Sequence, residues 1–243
     1  MSGSLVKTEA IVLRVTDYSE TSQVVWLCAR GHGRVHLLAK GARRPRKDGC
    51  GPFGLLDRCH VVCWRPRSSA LWVASEWSIV GACRRMRREL AAWREGMFAC
   101  ELALAFTHET DEDDGTFALL DGFLKQLDER GVSAEARTMF ELRMLRQAGL
   151  APRADACAHC GGPLGARTRF SAAAGGALCD ACGMTEAGST AMSRGALAAM
   201  AAMAGGSRVQ LSPPQRAEMD RALTDHIEYH LGRPLRTARS LGA

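Results

Sequence analysis

The sequence predicts an α+β chain: a small N-terminal β-barrel, then a helical domain interrupted by a four-cysteine module. Three observations predict it. About five β-type runs crowd into residues 5–80, with no room for crossover helices. The hydrophobic period changes near Cys83 from alternation to a three-to-four spacing. Four of the ten cysteines form two C-x-x-C pairs inside a Gly- and Ala-rich stretch, residues 153–189.

The strands are expected at Ala10–Val15, Gln23–Ala29, Arg34–Ala39, Cys59–Trp64 and Leu71–Val80. Gly31-His32-Gly33 and Arg65–Ser69 supply turns, and barrel closure removes exposed edges. Cys59 and Cys63 alternate with Val61, so they read as small core hydrophobes. Residues 82–109 contain no Pro and repeat apolar side chains at helical spacing. Further helices are expected over 116–131, capped by Asp113 or Asp114 and closed by Gly131, and over 133–147, capped by Ser133. Two more cover 193–203 and 213–231. The resulting division is 1–80 for the barrel, 81–152 and 190–243 for the helical domain, and 153–189 for the cysteine module.

Cys157-Ala-His-Cys160 and Cys179-Asp-Ala-Cys182 have the spacing of a zinc ribbon. Two thiolates on each tight turn complete a tetrahedron around one ion, with Zn–S of about 2.3 Å. Four thiolates leave no open position, so such a zinc is structural. The expected cofactor is one Zn²⁺ per chain, and His159 is expected outside its ligand set.

The formal charge of +6 is unevenly placed. Residues 1–80 hold 12 basic and 6 acidic side chains, whereas residues 81–243 hold 20 of each. Five cations fall within Lys40–Lys47, and Arg14, Arg30, Arg34, Arg65 and Arg67 lie on neighbouring strands or turns. Such a cluster favours phosphates, because each neutralised phosphate releases counterions. Four of the five tryptophans, Trp26, Trp64, Trp72 and Trp77, lie in the same third and are expected mainly as barrel core. The nucleic-acid-binding residues expected are Arg14, Arg34, Lys40, Arg43, Arg44, Arg46 and Lys47.

Enzyme motifs are missing. There is no G-x-x-x-x-G-K-[ST] loop, and the Glu of His226-Ile-Glu-Tyr-His230 is misplaced for a zinc protease. The acidic run Glu109–Asp114 reads as a solvated loop or a cap. No secretory signal opens the sequence and no apolar stretch approaches a membrane span, so a cytoplasmic location is expected.

The stretches TEAIVLRVTDYSET, GHGRVHLLAKGARRPRK, GPFGLLD, FELRMLRQAGLAPRADACAHCG and HIEYHLGRPLRTARSL resemble the RecO family of recombination mediators. The resemblance runs in order along nearly the whole chain. It implies an OB-fold barrel followed by a helical domain with a zinc ribbon. It also implies binding of single- and double-stranded DNA, annealing of complementary strands, and assembly with RecR. With RecR, such proteins help RecA onto DNA coated by single-strand binding protein. Ser19 stands where the family usually has Gly, and the segment after Lys47 fits less well. A second expectation is that Arg137, Arg143 and Arg146 receive the acidic tail of single-strand binding protein. The alternatives are an interaction scaffold or an RNA-binding factor without annealing activity.

Overall fold

Strand pairing in the N-terminal third follows the alternation of its apolar residues. The computed structural model describes residues 3–44, 51–81, 83–109 and 114–237. Strands β1 (Gly3–Asp17), β2 (Gln23–Ala29), β3 (Gly33–Ala39), β4 (Arg58–Pro66) and β5 (Leu71–Gly81) form a closed barrel in the order β1-β2-β3-β5-β4. β1 is long enough to pair with β2 through its second half and with β4 through its first, which closes the barrel. A bulge between Val12 and Arg14 accompanies the hand-over. β3 and β5 run parallel; the other neighbours run antiparallel.

Val25, Leu27, Val35, Leu37, Cys59, Val61 and Cys63 fill the barrel, as period-2 alternation requires. Trp72 and Trp77 join them, whereas Trp26 and Trp64 are half-buried on the outside. The expectation of a mainly internal role therefore holds for two tryptophans and not for the other two. The register decides it: Trp26 alternates with the inward-facing Val25 and Leu27, and Trp64 follows the inward-facing Cys63.

Helices α1 (Leu90–Phe106) and α2 (Gly115–Arg130) belong to the same unit as the barrel, Met1–Gly131. The sequence division follows element type; the units follow packing. Asp121 of α2 receives Arg58 of β4 at 2.6 Å, and Asp57 receives Arg87 at 2.7 Å. α1 begins at Leu90, later than its periodicity suggests. Four arginines occur between Arg84 and Arg88; the Arg85 amide donates to Asp128 and the Arg87 guanidinium binds Asp57, which holds this stretch in turns. Asp114 sits at the α2 N-cap position without a side-chain cap bond, and Asp113 lies outside the described residues.

The second unit, Val132–Ala243, holds α3 (Ala134–Gln147), a sheet of β6 (Thr168–Ser171), β7 (Gly176–Cys179) and β8 (Thr190–Ala191), the short α4 (Asp180–Thr185), and helices α5 (Arg194–Ala204) and α6 (Pro213–Leu231). Ser133 caps α3 by accepting from the Ala136 amide. Ser212 and Gln215 form a reciprocal capping box on α6, and left-handed Gly232 ends it. His226 of α6 is buried: its Nε2 donates to Leu150 O at 2.8 Å, and its ring meets Phe170 of β6 edge-on. Among the described residues, no helix is long and apolar enough to cross a membrane.

Candidate nucleic-acid interface and metal centre

Arg14 of β1, Trp26 of β2 and His36 of β3 are direct cross-strand neighbours on the outer surface of the barrel. The Arg14 guanidinium lies 5.3 Å from the Trp26 ring centroid, and Arg34 lies 5.5 Å from the same ring. Cation–π contact holds both charges over an aromatic face. His36 stacks on Trp26 with centroids 4.3 Å apart. Burial holds the His36 imidazole below its ordinary pKa and the Arg34 charge adds to this, while Glu109 opposes it. The ring is thereby biased toward its neutral form.

The basic loop leaves the end of β3 beside this row. Gly41 adopts a left-handed φ of 69°, and the Arg43 amide donates to Thr21 O, so the loop root is pinned to the β1–β2 turn. Lys40, Arg43 and Arg44 are exposed. Arg43 pairs with Asp17 at 3.0 Å, which neutralises part of its charge. Tyr18, Leu38, Lys40 and Arg44 border a shallow hollow at the loop root. Arg46 and Lys47 lie outside the described residues.

Arg34 differs from its sequence expectation in one respect. One arm of its guanidinium donates to Leu104 O in the last turn of α1, a favourable place for a cation at a helix C-terminus. Arg34 thus docks α1 as well as facing the outer surface. On α3, Arg143 and Arg146 are exposed, but Arg137 is not available in the same way: its side chain is 15% exposed and binds the buried Glu141 at 3.1 Å. The three arginines do not share one solvent face.

Sequence reasoning left Trp26 and His36 out of the site. The signal was present, since Trp26 alternates with core valine and leucine, but the barrel's interior demand for large side chains outweighed it.

The two cysteine pairs meet at the end of β7, where the Ala158 amide donates to Ala177 O and Cys179 closes the strand. Cys157, Cys160, Cys179 and Cys182 place their sulfurs within 4.8 Å of one another, and Cys160 and Cys179 are 3.9 Å apart. Sulfurs bound tetrahedrally to one zinc at 2.3 Å stand about 3.8 Å apart, whereas disulfide sulfurs are bonded at about 2.05 Å. The donor set and spacing therefore fit a four-coordinate thiophilic ion. Left-handed Gly161 and the Gly161 N–H to Cys157 O bond fold the first pair back on itself. Burial opposes ionisation of Cys157, but the amides of Cys160, Cys179 and His159 point to its sulfur and bring it down to about 6. His159 is exposed and stands outside the cluster.

The other described cysteines are buried. Burial pushes Cys59 up to about 12 and Cys63 and Cys83 to about 11, which suits unreactive thiols. Cys50 lies outside the described residues.

Comparison with known proteins agrees with this architecture. Residues 1–71 match the family model for the Recombination protein O N terminal domain, and residues 87–239 match that for the C terminal domain. The chain belongs to the RecO family. The DNA repair protein RecO of Myxococcus xanthus is 35% identical, with 94% of this chain and 93% of the relative covered. That of Anaeromyxobacter sp. (strain K) is 37% identical, covering 97% and 95%. RecO of Symbiobacterium thermophilum is 30% identical over 98% of this chain. DNA repair and recombination are thus the setting of this RecO-family chain, and its four-cysteine cluster fits zinc binding.

Proposed function

We propose that this RecO-family protein binds single- and double-stranded DNA through the barrel, anneals complementary strands, and with RecR promotes RecA loading on DNA coated by single-strand binding protein. The observation that carries the reading is the Arg14–Trp26–His36 row beside Lys40, Arg43 and Arg44. Phosphates need cations and unstacked bases need an aromatic ring, and this row combines the two. Annealing requires no catalytic group: once a protein neutralises phosphates, two polyanions can approach each other.

In this reading Cys157, Cys160, Cys179 and Cys182 hold a structural Zn²⁺ that ties the two pairs together. Arg143 and Arg146 are the remaining candidates on α3 for the acidic tail of single-strand binding protein, and the location is cytoplasmic at the nucleoid.

The test is annealing of complementary DNA strands coated with single-strand binding protein, with and without RecR, beside the same assay on RNA. Annealing of coated DNA strands supports the proposal. Binding without annealing favours a scaffold, and a preference for RNA strands favours an RNA factor.

A further inference from the structure

A polar groove of about 650 Å³ opens beside the β4–β5 turn. Arg34, Arg65 and Arg67 line it, with Ser68, Ser69 and the Trp72 ring. The Arg65 guanidinium is held 5.4 Å from the Trp72 centroid, so its position is set by an aromatic face. Arg34 belongs to both places: it lines this groove and lies over Trp26. The groove therefore continues the Trp26–His36 platform at the end of β3 opposite the basic loop. Arg34 and Lys40 bracket β3, about 20 Å apart at strand rise.

One carboxylate lines the groove among the described residues, that of Glu109. Its Oε1 stands 3.8 Å from Arg34 Nη2 and 3.7 Å from His36 Nε2. Those distances are beyond direct hydrogen bonds. Glu109 reaches this place because the Arg34 amide donates to His108 O at 3.0 Å, fixing the exit of α1 against β3. A negative group thus occupies the place where the arginines would draw an anion.

We infer that this groove is a second phosphate-binding site for a single DNA strand leaving the Trp26–His36 platform, and that Glu109 is its built-in competitor. The inference rests on the proposed DNA-binding reading of the barrel. Arg65 and Arg67 grip the sugar–phosphate backbone; the Glu109 carboxylate offsets their attraction and that of Arg34 until the strand displaces it.

The experiment titrates a labelled oligothymidylate of about 15 nucleotides over a range of salt with the full chain. Arg65→Gln with Arg67→Gln weakens binding on the order of 10-fold at about 0.1 M salt and lowers the salt slope by about 0.7 per arginine. Arg67 is exposed at the turn, so Arg67→Gln alone keeps the slope readable if the double variant folds poorly. Glu109→Gln tightens binding by roughly 3-fold, as removal of one screened charge should. That gain shrinks when Arg65 and Arg67 are also replaced. An unchanged slope for Arg67→Gln, or a Glu109→Gln protein that binds no more tightly, overturns the inference. Arg43→Ala with Arg44→Ala is the control: if it weakens binding while the groove variants do not, the general reading stands and the groove fails. If none of these variants alters binding, the general reading fails too.

Discussion

Trp26 and His36 stack across two neighbouring strands, with ring centroids 4.3 Å apart and planes 25° from parallel. Each ring therefore covers a face of the other, with two arginines near the Trp26 ring, and a base that stacks on Trp26 displaces one of these neighbours. Stacking on an aromatic face is worth about 1–3 kcal/mol per base. Trp26→Ala is therefore expected to weaken oligothymidylate binding by about that amount while leaving the salt slope unchanged. Trp26→Phe should recover part of the loss. A Trp26→Ala protein with parental affinity would remove the platform from the account.

The four-cysteine cluster should hold about one zinc ion per purified chain, read by elemental analysis. Cys157→Ser should lose the metal and lower the melting temperature, because structural zinc binding is folding free energy. Cys59→Ala should keep full zinc occupancy, since that thiol sits in the barrel core.

Gly176 opens β7 at a φ of 152° and pairs with Arg153, whose carbonyl oxygen would lie 2.2 Å from an added Cβ. Gly176→Ala should destabilise the cysteine module by about 1–3 kcal/mol, visible as earlier metal release on heating. Gly175→Ala meets no neighbouring atom within 4 Å and carries only its backbone strain.

His226 gives unit 2 an acid sensitivity of defined sign. Burial lowers its pKa, the Leu150 carbonyl opposes this, and nearby His230 adds to the lowering. The folded chain thus binds fewer protons than the unfolded one below the ordinary value of about 6.5. Its stabilising contribution is complete above that value and is lost as pH falls through it toward the folded pKa. Asp220, raised by burial, has the opposite sign and acts nearer the carboxylate range. Melting temperatures at pH 7.5 and 5.5 should therefore differ less for His226→Gln, whose amide can still donate to Leu150. An equal acid loss in both proteins would contradict this.

Much of the architecture was legible because it rests on local rules. Alternation placed Val25, Leu27 and Val61 inward, Ser133 marked a helix start, and the C-x-x-C spacing anticipated sulfurs close enough for one ion. What escaped depended on long-range pairing. No local pattern shows that Arg14, Trp26 and His36 share one row, since that follows from the registers of β1 with β2 and β2 with β3. The hold of Leu104 on Arg34 joins residues 70 positions apart. The inward turn of Arg137 depends on Glu141 being buried, which charge counting along α3 does not reveal.

The central claim is that the barrel surface binds DNA through its phosphates. It is tested most directly by the salt dependence of oligothymidylate binding for Arg43→Ala with Arg44→Ala against the parent chain. Weaker binding is expected for every sequence tried, with a salt slope reduced by about 1.4, two lost single-strand phosphate contacts. The same affinity and the same slope in both proteins would contradict it.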